Sequence, residues 1–314
     1  MRLKALLPLI GVAIAVVAAT IVFRRIESLD LAQLFAHVGD YSPRRIAGAL
    51  ALVFFSLSLA GLYETAMLGE LGSPIRFRRG LLHALIANPI GHSVGFSTLS
   101  AGAMRYRLYA PLGLSPTRIA AVVVLSAFPY VLGIGLLLDV ALVVGARQAA
   151  PALHAPVWLI GALGVVGLCK DVGYVLLTKL RRNPFRIGKL QIRLPTTALT
   201  FLQLAIGVAQ ILCIAGVLYV LMPPELGMGF AGFLIVYLIA LAAGSLSNVP
   251  AGLGVVEALL LLMLPQVPPE RLLAAVLAYR AVYEVIPVLL ALALLASFEL
   301  ASRHGIAGRL WRRN

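Results

Sequence analysis

Apolar runs of 18 to 27 residues recur along this chain, and their length limits the fold more than any other feature. Leu6–Phe23, Ile119–Val144 and Leu272–Phe298 approach or exceed the roughly 20 apolar residues that cross a hydrocarbon core about 30 Å thick. Backbone polar groups in lipid must be satisfied within the segment, so such runs read as helices. A transmembrane barrel would instead show short alternating strands, and the sequence has none. Of the 314 residues, 61% are apolar and only 12% charged, with a mean hydropathy of +1.00. A soluble domain carries about 25% charge. The expectation is an all-α polytopic membrane protein of about six full transmembrane helices, residues 1–314 forming one integral membrane domain.

A net charge of +14 raises the question of nucleic acid. The cations, however, sit in short loops between apolar runs, without the motif context of a nucleic-acid fold. They read as topology determinants facing anionic lipid, and no nucleic-acid partner is expected. Cys169 and Cys213 lie inside apolar spans without CxxC spacing and read as small core residues. The first apolar run follows Arg2 and Lys4, is longer than a signal-peptide core of about 7–15 residues, and is followed at once by Arg24 and Arg25. It reads as an uncleaved first span.

Orientation follows from the cations. Lys179, Arg181, Arg182, Arg186, Lys189 and Arg193 occur together without an acid, which predicts a cytoplasmic loop. Arg76, Arg78 and Arg79 mark another, and Arg303, Arg309, Arg312 and Arg313 make 301–314 a basic cytoplasmic tail. Both termini are then cytoplasmic, in a bacterial inner membrane. Residues 24–45 fall outside, where Glu27, Asp30 and Asp40 dilute four arginines.

Two regions interrupt the pattern. Leu81–Ser100 is broken by His83, Pro89, Gly91, His92 and Gly95 and has arginines on both flanks; Phe230–Leu264 holds two short apolar runs separated by Gly244–Gly254. Each reads as a re-entrant or broken helical segment, although additional short crossings satisfy the same charge parity. Non-helical backbone at membrane depth is tolerated where it lines a cavity or is buried in protein. The two regions also resemble each other. Gly95–Tyr130 and Gly244–Tyr283 both pass from a glycine through a polar stretch to Ala-Gly. A Pro-Thr-Arg or Pro-Glu-Arg turn follows, then a long span bearing a tyrosine. The offset is 150 at Ala101/Ala251 and 153 at Arg118/Arg271. This suggests weak repeat halves at about 81–146 and 230–300, entering from opposite faces. Inverted repeats with broken helices recur in transporters, with substrate near the midplane at the repeat interface.

A charge at the bilayer centre costs about 2.5–3.5 kcal/mol on insertion scales, so intramembrane charges need a reason. Arg280 lies eight residues after Leu272, about 12 Å along a helix rising 1.5 Å per residue. Glu284 stands one turn further on the same face, and Pro287 should kink the helix. Glu257 follows Asn248-Val-Pro-Ala-Gly-Leu-Gly, within potential reach of Arg280. Arg105 and Arg107 flank the end of the first broken segment, beside Tyr106 and Tyr109. Arginine binds phosphate bidentately, and a half-helix N-terminus at Gly252–Gly254 would add backbone donors. These residues read either as a polar path for a charged headgroup or as ion pairs that lock helices together; for Arg105 and Arg107, positive-inside anchoring is the competing reading. Glu64 and Asp139 are further candidates for the path. Lys170 and Asp171 are expected near the end of their span, pairing or snorkelling. His83 and His92 lack metal-ligand spacing, so neither a metal nor a cofactor is expected.

GLGVVE (Gly252–Glu257) followed by AAVLAYRAVYEVIP (Ala274–Pro287), with SAGAMRYRLYAPLGLS (Ser100–Ser115) before them, resembles the lysylphosphatidylglycerol synthase transmembrane family, in particular its stand-alone, YbhN-like members. The likeness covers nearly the whole chain in span pattern, but its specific motifs occupy only those stretches. The resemblance implies a flippase-like membrane domain in which Glu257 and Arg280 are important. One departure is Val256, where the family usually has an aromatic, so the lipid need not be an aminoacylated one. The chain ends at Asn314, and the soluble aminoacyl-transferase domain of the larger members is not expected.

The leading expectation is therefore a phospholipid flippase, not an enzyme, moving anionic or aminoacylated headgroups along a polar path. Candidate path residues are Arg280, Glu257, Glu284, Arg105, Arg107, Asn248, Gly252 and Gly254. No GxxxxGK[ST] loop is present for direct use of ATP. A lipid-modifying enzyme would need an activated nucleophile or a metal cluster at membrane depth. Ser97, Ser100, Ser245 and Ser247 lie near the interruptions without a base clearly placed to activate them. A non-transporting scaffold for a lipid synthase is the third reading; the partners expected are phospholipid and the membrane, with a lipid synthase or further copies of the chain as candidates.

Overall fold

The computed structural model describes residues 37, 39, 41–93, 97–147, 155–180, 185–187, 190–192, 194–247, 249 and 252–303. The expected first span Leu6–Phe23, Asn248, the Gly95 turn and most of the basic tail lie outside the described residues. The rest is helical, apart from an antiparallel hairpin of β1 (Phe185–Ile187) and β2 (Leu190–Ile192), Phe185 pairing with Ile192, within the basic loop.

The described helices begin with α1 (Pro43–Glu70), α2 (Phe77–Ser93), α3 (Ser97–Tyr109) and α4 (Pro116–Val144). Then come α5 (Val157–Leu180), the β-hairpin, α6 (Thr197–Leu221), α7 (Phe230–Leu246) and α8 (Val255–Met263). A last long helix comprises α9 (Pro269–Arg280), a π-helical turn (Ala281–Val285) and α10 (Ile286–Arg303). Five of these helices are long and apolar enough to cross a membrane: α1, α4, α5, α6 and Pro269–Phe298. The protein is a polytopic α-helical membrane protein, and five of the six expected spans fall among the described residues.

The caps explain where spans start. Ser42 and Ser115 accept the backbone N–H of Arg45 and Arg118, each with proline at the first helical position, where its missing N–H costs nothing. Thr196 caps α6 in the same way, and Glu70 at the end of α1 accepts both its N–H at 2.7 Å and its hydroxyl at 2.6 Å. One cap thus ties two spans together.

The interruptions become pairs of short helices. In the first region α2 ends at Ser93 and α3 starts at Ser97; Pro89 and Gly91 lie inside α2, so neither interrupts the helix as expected. At nine residues, α8 is about 14 Å long, too short to cross about 30 Å of hydrocarbon. The stretches from α1 to α4 and from α6 to the last long helix share an order of long, short, shorter and long helix. α2 and α7 are 17 residues each and begin 153 positions apart at Phe77 and Phe230; α4 and α9 begin 153 apart at Pro116 and Pro269.

α6 is the central helix, packed against α1 and α4 with half of its apolar window buried. Gly133 of α4 and Gly207 of α6 let these two backbones touch. A Cβ on Gly133 would stand 2.3 Å from the Gly207 carbonyl carbon, and one on Gly207 would stand 2.0 Å from the Pro129 oxygen. α5 lies at the edge, against α4. Here Lys170 and Asp171 correct the expectation, because they sit about midway along α5 rather than near its end. Lys170 Nζ is 3.1 Å from both Asp139 and Asp171. Asp139 thereby serves that peripheral triad and leaves the candidate path. Its side chain lies over Gly167, where a Cβ would come within 1.9 Å of Asp139 Oδ1.

Candidate functional site

The first charge cluster joins both members of the first short pair to a long span. Glu64 on α1, Arg105 on α3 and Tyr109 on α3 are almost completely buried. Arg105 donates to both Glu64 oxygens at 3.3 and 3.5 Å and to Asn88 Oδ1 on α2 at 2.8 Å. The Tyr109 hydroxyl donates to Glu64 Oε1, and His83 on α2 packs edge-on against the Tyr109 ring at 4.7 Å. A buried guanidinium left without its carboxylate would cost several kcal/mol, so this geometry fixes α1, α2 and α3 relative to one another.

The second cluster is built on the other broken pair. Positive φ at Gly252 (+62°) and Gly254 (+81°) folds the α7–α8 connection, a backbone state that costs other residues about 1–2 kcal/mol. Gly244 at the end of α7 meets Gly252 closely: a Cβ on Gly252 would lie 3.3 Å from Gly244 Cα. This turn places Glu257 in the first turn of α8, where its Oε2 accepts the Gly254 N–H at 2.8 Å. Its Oε1 faces Arg280, with Nη2 at 2.6 Å and Nε at 2.8 Å, while Arg280 Nη1 donates to Glu284 at 2.8 Å. Arg280 therefore bridges two carboxylates.

Glu284 lies in the π-helical turn Ala281–Val285. Pro287 does not break the helix. Proline lacks an N–H, and its ring crowds the carbonyl four residues back; the wide turn immediately before it absorbs that conflict. Tyr279 and Tyr283 stack on the same stretch at 5.4 Å, and the Tyr279 hydroxyl meets that of Tyr237 on α7 at 3.1 Å.

Between the two clusters lies a cavity of about 90 Å³, room for several waters. Glu64, Arg105 and Asn88 form one part of its wall, and Glu284, Tyr283 and Pro287 another. Gln210 of α6 and Tyr130 of α4 contribute further polar atoms. Glu257 and Arg280 stand behind Glu284, outside the lining. Of the expected path residues, Arg280, Glu257 and Glu284 come together as the spacing predicts, and Gly252 and Gly254 shape their support. Arg105 is at the cavity, but Arg107 is exposed on the other side of α3 and does not join. Tyr109, named beside Arg105 in the sequence, joins the cluster; Asn88 and Gln210 were not singled out, and for Gln210 an amide inside an otherwise apolar helix was the available signal. Ser245 and Ser247 donate to carbonyls of their own helix region at 2.9 and 2.7 Å. Among the described residues no cluster of three metal-ligating side chains occurs.

Short helices paired around an internal cavity, with arginine–carboxylate clusters in and behind its wall, give this polytopic α-helical membrane protein a polar interior. The sequence profile of the lysylphosphatidylglycerol synthase TM region matches residues 9–291. The chain belongs to that family. It is 33% identical over 257 residues to an uncharacterized protein of Synechocystis, covering 82% of this chain and 80% of the relative. It is 27% identical to the inner membrane protein YbhN of Escherichia coli, covering 89% and 87%. A phosphatidylglycerol lysyltransferase of Staphylococcus haemolyticus is 25% identical over 82% of this chain but only 29% of the enzyme.

Proposed function

We propose that this protein moves phospholipid headgroups across the bacterial inner membrane through the cavity between its two short-helix pairs. One observation carries this reading: the cavity touches both charge clusters, at Glu64–Arg105 and at Glu284. Arginine offers a planar fork for phosphate, and a polar interior spares a headgroup full exposure to hydrocarbon. The matching helix order at an offset of 153 supports an inverted repeat, since the three long helices α1, α4 and α5 before α6 reverse its direction; the basic loops favour both termini on the cytoplasmic side. Leu57 and Gln210, and Tyr130 and Tyr283, are also 153 apart and line the cavity together, the placement expected of a site at a repeat interface. Passage of a headgroup through a cavity of about 90 Å³ would require the short helices to part.

The family relation supports a lipid-facing role, and the lysyltransferase relative, by its name, acts on phosphatidylglycerol. That substrate comes to this chain as part of the proposal, together with the expectation that it performs no synthesis itself. The test reconstitutes purified protein in liposomes and follows fluorescent phosphatidylglycerol between leaflets. Wild type is expected to accelerate exchange, and Arg280→Ala to slow it at least tenfold without loss of folded protein. If wild type moves no lipid, the reading fails and a scaffold for a lipid synthase takes its place; lipid chemistry without transfer would favour the enzyme reading.

A further inference from the structure

The two clusters differ in charge. Arg105 is matched by one carboxylate, Glu64, whereas Arg280 serves two, Glu257 and Glu284. Glu257 is held at both oxygens, by Arg280 and by the Gly254 N–H. Glu284 is held at one. Its Oε1 accepts from Arg280 Nη1, and no hydrogen bond from the described residues reaches its Oε2. Glu284 also lines the cavity, which Glu257 does not. Of the three carboxylates it is the one a ligand can displace.

Resting on the reading of the cavity as a headgroup path, we propose that Glu284 takes up a proton when an anionic phosphate group replaces it on Arg280. Empty, the cluster holds one guanidinium and two carboxylates and carries a formal charge of −1. A phosphodiester entering at Arg280 Nη1 would bring a second uncompensated negative charge to a site largely removed from water, where an unpaired charge costs several kcal/mol. A proton from water on Glu284 converts the carboxylate to a neutral carboxylic acid and restores the charge to −1. Headgroup and proton therefore bind together. The groups facing Glu284 from the surrounding elements leave this role to it. Tyr63, Tyr130, Tyr237, Tyr279, Tyr283 and Cys213 are uncharged at neutral pH. Arg105 and Arg280 stay protonated, Glu64 is held by Arg105 and Tyr109, and Glu257 by Arg280 and Gly254. His83, on α2, packs on Tyr109 behind Glu64.

The test titrates purified protein in weakly buffered detergent with dihexanoyl phosphatidylglycerol and follows a pH indicator. About one proton is expected to be taken up per lipid bound, with affinity rising up to tenfold per pH unit as pH falls. E284Q is expected to bind without proton uptake and without pH dependence; E284D retains the uptake. Glycerol phosphate, which carries the phosphate without acyl chains, is expected to bind much more weakly; binding by glycerol phosphate but not by the lipid would overturn the lipid assignment. Lipid binding by wild type without proton uptake overturns this proposal alone, and that count needs no variant. Proton uptake that persists in E284Q also overturns it. No lipid binding by wild type overturns the headgroup path and this proposal together.

Discussion

Replacing Glu64 by alanine separates the two roles a buried ion pair can have. The substitution removes both carboxylate contacts of Arg105, at 3.3 and 3.5 Å, and the acceptor of the Tyr109 hydroxyl, leaving Arg105 with Asn88 alone. Both charged side chains are at most 4% exposed, so water does not screen the loss. Breaking such a pair costs about 3–5 kcal/mol. At about 2–4 °C per kcal/mol, the melting midpoint of the detergent-solubilised protein should fall by roughly 6–20 °C, measured by the loss of monodisperse protein on heating. Removing all three polar groups together (Glu64→Leu, Arg105→Met, Tyr109→Phe) leaves no uncompensated charge, and replacing a buried pair with apolar residues is often neutral or stabilising. The triple variant should recover most of the lost stability yet fail to move fluorescent phosphatidylglycerol in liposomes. A triple variant as active as wild type would refute the reasoning, since the pair would then only lock the helices. A single variant that melts like wild type would refute the burial argument itself.

Arg280→Lys keeps the charge but loses the fork that reaches Glu257 and Glu284 together; lipid movement should fall at least tenfold in the liposome assay while the protein remains folded. Gly133→Ala places a methyl group against the Gly207 backbone and should destabilise by about 1–3 kcal/mol, read as a lower melting midpoint. Gly254→Ala meets no neighbour within 4 Å, so its effect isolates the strain of φ +81°, about 1–3 kcal/mol. In membrane vesicles an apolar maleimide should label exposed Cys169 and spare buried Cys213, whereas a membrane-impermeant charged maleimide should label neither; labelling of Cys169 by the charged reagent would show that α5 faces water.

Much of the architecture was legible because hydrocarbon reads composition locally. A run such as Ile119–Val144 announces a span whatever it packs against, and Gly244–Gly254 announces an interruption because no uninterrupted helix carries so many breakers. Arg280 and Glu284 were legible for the same local reason, being one helical turn apart. Arg105 was harder. Its partner Glu64 is 41 residues away on another helix, and no periodicity encodes that distance. Pro89 and Gly91 were misread as breakers because a helix tolerates them when neighbouring helices cover the disturbed turn. Lys170 was misplaced because a lysine in an apolar span suggests a boundary, and only the fold brings Asp139 alongside it.

The five-residue turn Ala281–Val285 puts α9 and α10 out of phase. An α-helix advances about 100° per residue, so the surplus residue in the wide turn rotates everything after Val285 by about that angle relative to an unbroken helix. A wheel drawn through 269–303 as one helix would therefore assign the wrong flank of α10 to the bundle. Deleting a single residue there would straighten the ladder while turning Pro287 away from the cavity and swinging the side of α10 that meets α2. The helix is long enough to tolerate the loss in length but not in angle, which makes phase, more than hydrophobicity, the quantity that sequence changes in this segment must preserve.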